Sequence, residues 1–242
     1  MLPSIFWYLF ESLKDPSLHV AMMAEASASL PPGSAAASLD IVKFKSLPLM
    51  QSCYAEVLRL RLAIAMSRVS ELDDFQLDSK LTIKRNHPLV IFSRPLALND
   101  ESWALAGRPQ SIPLEEFHAR RFLVSGKSND DTGNGSTPQA PQPHPTRPLG
   151  PSQEARLQYS LDGLESCWVP YGGGQRKCPG RHFAKNEILG TFAILCTQYD
   201  IELLRNDLDS VKPDLRWFPM GALPPSSKVP FRIRKKASPV QG

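Results

Sequence analysis

The run Trp168 to Lys185, WVPYGGGQRKCPGRHFAK, constrains this chain more than any other feature. Gly172, Gly173 and Gly174 carry no side chains, so a flat group can approach the backbone closely there. Cys178-Pro179-Gly180 follows, and then a stretch from about Arg181 to Gln198 that reads as a helix, with Ala184, Ile188, Phe192 and Leu195 on its core side. A cysteine directly before a helix lies where free backbone N–H groups and the positive end of the helix dipole stabilise a thiolate. Arg176 is placed to pair with a carboxylate on the edge of a bound cofactor. A thiol nucleophile would want a histidine partner, but His182 falls where helical periodicity does not set it over the sulfur. Taken singly, a glycine triplet is a turn and a lone cysteine is a small buried hydrophobe; the combination is far more specific.

The rest of the chain reads as helices with a small amount of sheet. Residues 4–27 form two helical pieces divided at Asp15-Pro16, an N-cap followed by proline at the first helical position. Leu2 to Phe10 is apolar but far shorter than the ~18 residues of a membrane span, and it reads as the end of a buried helix. Residues 28–39 are a loop. Residues 47–62 give a strong helix with Leu49, Cys53, Val57 and Leu60 on one face and Leu58 beside it. Phe75, Leu77, Leu81 and Ile83 alternate around Asp78-Ser79-Lys80 as in a hairpin. Leu89 to Phe92 is a short strand, residues 100–122 are irregular but packed around Trp103, Phe117 and Phe122, and residues 199–204 and 229–233 are late strands.

Composition excludes several classes. The net charge of +4 is spread along the chain apart from Arg232, Arg234, Lys235 and Lys236, without the dense basic stripe of a nucleic-acid protein. The four cysteines, Cys53, Cys167, Cys178 and Cys196, form no CxxC pair, which argues against a zinc ribbon or a disulfide scaffold and favours a reducing compartment. The chain holds 23 prolines, and six of them fall between Pro138 and Pro151, within residues 125–153, a low-complexity stretch with too little apolar surface to offset ordering. It reads as a flexible Pro-rich insertion. Pro138 to Pro141 and Pro145 to Pro148 match a polyproline-ligand pattern.

Tyr171 to Gly180 resembles the cysteine-loop signature of the cytochrome P-450 superfamily, with tyrosine where phenylalanine is usual. Glu56-Val57-Leu58-Arg59 matches the family's Glu-x-x-Arg, whose spacing puts both side chains on one helix face. Phe117 to Phe122 resembles the segment that follows it, with Ala119-Arg120 where Pro-Glu is usual. The run from Cys178 to Ile188 is similar to the sterol 7α-hydroxylase and prostacyclin synthase branch.

This resemblance implies the C-terminal half of the P-450 fold, mainly α with small β-sheets. One partial domain spans residues 1–124 and 154–236, interrupted by 125–153 and followed by a tail, 237–242. It implies Cys178 as axial ligand to the iron of haem b, with Tyr171, Gly174, Arg176, Gly180 and Arg68 around the cofactor. Arg68 falls where a second propionate partner is often found. Glu56, Arg59 and Arg121 become a buried structural network. The implied activity is oxidation of a small apolar substrate by O2, with electrons from NADPH through a partner reductase. Eukaryotic members sit on the endoplasmic reticulum membrane, although no segment here reads as a membrane span. The family's acid–alcohol pair for proton delivery is not found in the sequence, so no catalytic residue is assigned. Two other readings stand beside this one: a truncated, catalytically incompetent product, and an interaction module built on the Pro-rich segment.

Overall fold

The computed structural model describes residues 2–28, 41–44, 46–125 and 157–237. The expected loop at 28–39 and the Pro-rich segment with both PxxP matches lie almost wholly outside these residues. So does the tail beyond residue 237. The described chain alternates helices with short antiparallel strands, an α+β mix.

Two helices open the chain, α1 (Leu2–Lys14) and α2 (Pro16–Ala28). Asp15 separates them as expected: its Oδ1 accepts from the N–H groups of Ser17 at 2.9 Å and Leu18 at 3.1 Å, which satisfies donors the helix itself cannot. The apolar start of α1 is buried, with Trp7, Tyr8 and Phe10 almost inaccessible. Trp7 donates its Nε1–H to the Leu223 carbonyl at 2.7 Å and lies under the Arg61 guanidinium, 4.1 Å from the ring centroid. No helix among the described residues is long and apolar enough to cross a membrane.

After the single turn α3 (Ile41–Phe44) comes α4 (Pro48–Arg61), which organises the molecule. The sequence pattern gives it one apolar face, yet the structure buries nearly every residue from Leu49 to Leu60, polar ones included. Ser52, Glu56 and Arg59 are enclosed because each finds partners, which is the condition for burying polar groups. Leu47 provides no side-chain cap for α4. Glu25 of α2 replaces it, accepting from the N–H groups of Leu49 at 2.9 Å and Met50 at 3.0 Å.

The chain then turns directly into β1 (Leu62–Val69), the centre of a three-stranded antiparallel sheet with β4 (Pro88–Phe92) on one side and β8 (Met220–Ala222) on the other. The sequence pattern does not announce β1 or β8. The hairpin of β2 (Phe75–Gln76) and β3 (Thr82–Ile83) forms in the expected register, Phe75 opposite Ile83, but it pairs at only two positions. Its apolar residues Phe75, Leu77 and Leu81 are half exposed or more. Asp78 closes its turn by accepting from Lys80 and Leu81 N–H, both at 2.7 Å.

Two short helices follow β4, α5 (Ser93–Ala97) and α6 (Asp100–Leu105); the second opens the irregular segment, which is packed, with Trp103 and Phe122 fully buried. Strands β5 (Leu123–Ser125) and β6 (Leu157–Tyr159) pair antiparallel. The last long helix is α7 (Arg181–Gln198). Its buried face is rotated from the expected one. Ile188 and Phe192 are enclosed, but Ala184 and Leu195 are only partly so, and Leu189, Ala193 and Cys196 take the inner positions. Strands β7 (Tyr199–Leu203) and β9 (Phe231–Lys235) form a ribbon in which Arg232 pairs with Glu202 at 2.7 Å and Arg234 with Asp200 at 3.4 Å. The basic cluster at the chain end is therefore largely one side of a charge-matched strand pair.

Candidate functional site

Two assemblies flank α4. Behind it lies a closed ion cluster. Arg59 donates to Glu56 in a two-pronged contact, Nε to Oε2 at 2.7 Å and Nη2 to Oε1 at 2.8 Å. Arg121 donates Nε–H to Glu56 Oε1 at 3.0 Å, and the His118 backbone N–H donates to the same oxygen at 2.9 Å. All three side chains are fully inaccessible. The remaining Arg121 donors go to Gln110 Oε1 and to the carbonyls of Ile112, Pro113 and Glu116 at 2.9–3.0 Å. A guanidinium has five N–H groups, and all five are used. Burial alone would raise the Glu56 carboxyl, but the Arg59 guanidinium, then Arg121 and the His118 N–H, hold it below the usual glutamate value. The departures at Ala119 and Arg120 do not disturb this cluster, because it takes the backbone of His118 and the side chain of Arg121.

In front of α4 lies the cysteine loop. Trp168 fastens its entry, donating Nε1–H to the Ala55 carbonyl at 3.1 Å. Gly172 and Gly174 adopt φ of +79° and +66°, a backbone region that favours glycine. A short 3₁₀ turn spans Gly174–Arg176, and the chain from Gly174 to Gly180 is exposed. The Cys178 N–H donates to the Tyr171 carbonyl at 3.0 Å, and Gly180 stands at the N-cap of α7. A Cβ on Gly180 would lie 3.8 Å from Cys178 Sγ, while one on Gly173 or Gly174 would meet nothing within 4 Å. The sulfur and the glycines therefore face open space.

Of the four cysteines, Cys178 alone is exposed. The others are enclosed, and burial raises their thiols, that of Cys196 to about 12. Among the described residues no group of three or more His, Cys, Asp or Glu is arranged to hold a metal ion. Arg68 reaches the loop from β1, donating to the Gly173 carbonyl at 2.9 Å. Arg176, in the 3₁₀ turn of the loop, is exposed. Tyr171 is half buried, and its hydroxyl is hydrogen-bonded to that of Tyr54 on α4. Burial, and the Cys178 sulfur nearby, push its phenol up. A cavity of about 820 Å³ elsewhere is lined by Glu11, Arg61, Arg94 and Arg120 among others; none of its lining comes from the cysteine loop.

The residues singled out in the sequence thus fall into two groups, Glu56–Arg59–Arg121 and the loop from Tyr171 to Gly180 with Arg68 beside it. Three contacts that fasten the loop were not legible: the Tyr54 hydroxyl on Tyr171, the Lys185 ammonium, which donates to Gln51 Oε1 at 2.7 Å, and the Trp168 indole on the Ala55 carbonyl.

A family model for cytochrome P-450 matches residues 1–229. The chain belongs to the cytochrome P-450 family. It is 37% identical over 237 residues to cytochrome P-450 monooxygenase fsoE of Humicola fuscoatra, covering 97% of this chain and 39% of that protein. It is 34% identical over 251 residues to cytochrome P-450 monooxygenase efuG of Hormonema carpetanum, covering 97% and 41%. It is 25% identical over 245 residues to cytochrome P-450 7A1 of Sus scrofa, covering 97% and 42%. The chain spans about two fifths of the length of the curated relatives it matches.

Proposed function

We propose that this chain carries the haem-thiolate site of a P-450 monooxygenase, with Cys178 as the axial ligand to the iron of haem b. The observation that carries this is the exposed Cys178 at the start of α7, beside an open glycine turn, in a chain of this family. The residues present fit such a group. A lone thiolate needs no companion ligand from the protein, a flat ring needs a backbone without side chains, and Gly173, Gly174 and Gly180 provide that. Arg68 and Arg176 supply two cations at the loop edge for the propionates.

Bound haem supplies dioxygen activation, with one oxygen atom entering an apolar substrate, the other leaving as water, and two electrons coming from NADPH through a partner reductase. The work of this chain is to hold and tune. Cys178 would hold the iron through its thiolate, whose electron density would favour O–O cleavage. The N-terminal end of α7 favours negative charge at the sulfur. The backbone bond from Cys178 to Tyr171 fixes the turn, and the Glu56 cluster keeps α4 from shifting beneath it.

Reconstitution of the chain with haemin tests this. The ferrous–CO complex is expected to show the red-shifted Soret band of thiolate ligation, and Cys178→Ala is expected to abolish that band. A Cys178→Ala spectrum identical to the parent's would refute the assignment.

A further inference from the structure

The exposed turn at Cys178 is fastened from both sides to one turn of α4. On its entry side, the Cys178 N–H donates to the Tyr171 carbonyl at 3.0 Å, and the Tyr171 hydroxyl is hydrogen-bonded to that of Tyr54. On its exit side, Lys185 of α7 donates to Gln51 Oε1 at 2.7 Å. The Lys185 ammonium also lies 5.5 Å from the centroid of the Tyr54 ring and 5.8 Å from that of Tyr159, within cation–π range. Gln51 and Tyr54 are three residues apart on α4, so both anchors lie on the same helix face. Tyr54 is only 4% exposed, and without Tyr171 its hydroxyl would be buried with no partner in place of the present one. A tyrosine at position 171, where the family signature has phenylalanine, is therefore matched by a tyrosine on the helix behind it.

We propose that Tyr54, acting through Tyr171, is a positioning residue for the Cys178 thiolate. The phenol pair ties the peptide that receives the Cys178 N–H to α4, and so limits the directions the sulfur can take. This rests on Cys178 being the haem ligand. Where a phenylalanine at 171 would hold the loop by packing alone, the pair adds a directional bond.

The test uses the whole chain as Tyr54→Phe, Tyr171→Phe and the double variant. Amide exchange of the segment 171–180 reads the clamp without any haem. Each single variant is expected to raise exchange at the Cys178 amide by about three- to tenfold, the range of one net hydrogen bond, with exchange in β7 and β9 unchanged. In the haemin-loaded chain, the single variants are expected to lose the thiolate Soret band faster in dilute urea. Tyr171→Phe should be the faster of the two, since it strands the buried Tyr54 hydroxyl. The double variant, which strands nothing, should be no faster than Tyr171→Phe. An unchanged Cys178 amide in both single variants overturns the proposal, as does a rise shared equally by β7 and β9, which would mean general loosening. If Cys178→Ala keeps the thiolate band, the ligand assignment itself falls and the thiolate role of Tyr54 with it. The exchange result then still decides whether the clamp exists.

Discussion

The two sides of α4 are built on opposite terms. Behind it, Glu56, Arg59 and Arg121 are wholly enclosed, and every Arg121 donor is spoken for. In front, Gly174 to Gly180 is exposed and held by a few backbone bonds and the Arg181 guanidinium, which donates to the Cys178 carbonyl at 3.0 Å. A buried ion cluster tolerates no movement, because displacing one partner leaves a charge without solvent or counter-ion. A bare glycine turn tolerates approach by another group. The contrast shows how one helix serves as a fixed wall on one side and a mount for the cysteine loop on the other.

That contrast can be broken by substitution. The largest effect is expected on the closed side: Glu56→Ala leaves two guanidiniums buried without their carboxylate and should destabilise the chain by about 3–5 kcal/mol, read from the urea midpoint. A loss below about 1 kcal/mol would place the cluster in the class of surface pairs. Acid should act at the same point. The arginines outweigh burial and hold the Glu56 carboxyl low in the folded chain, so its contribution is complete above the unfolded value of about 4.3. It is lost as pH falls through the depressed folded value. A urea midpoint that stays flat from neutral pH to about pH 3 would contradict this.

On the open side the effects shrink. Gly172→Ala forces a side chain into φ of +79°, with only Met66 Sδ within 4 Å of the new Cβ; strain without a clash should cost about 1–2 kcal/mol. Cys178→Ala should change the stability read from the urea midpoint least, by under about 0.5 kcal/mol, because the thiol is exposed. In the native apo chain a thiol reagent should label Cys178 well before the three buried cysteines, with mass spectrometry locating the site. Labelling of Cys53 first would mean that the core opens more readily than its burial implies.

What was legible in the sequence follows from how far apart partners lie. Glu56 and Arg59 sit on one helix face, and Asp15 caps the residues just after it, so local spacing reveals both. The cysteine loop was legible because its motif is continuous. The Tyr54–Tyr171 bond spans 117 positions, and nothing beside either residue points to the other. The cap that Glu25 gives α4 was hidden in the same way, since Leu47-Pro48 offers no side-chain acceptor and the carboxylate arrives from another helix. Strand β1 escaped notice because LAIAMS suits a helix as well as a strand. Its state is decided by pairing with β4 and β8, both remote in sequence. The rotation of the α7 core face has a similar origin: Ala184 and Leu195 have the right period, but the neighbours that cover Cys196 and Ala193 belong to other elements.

The pairing of Ser125 with Leu157 has a practical consequence. Because the chain leaves β5 and re-enters β6 at adjacent positions, the ladder closes the interval 126–156 at its base. For a flexible insert placed between these two paired ends, the free energy of closure grows only logarithmically, about 0.6 kcal/mol for each doubling in length. This junction is therefore a natural splice point, where a short turn or an inserted reporter domain could replace the native interval while the two strands keep their register.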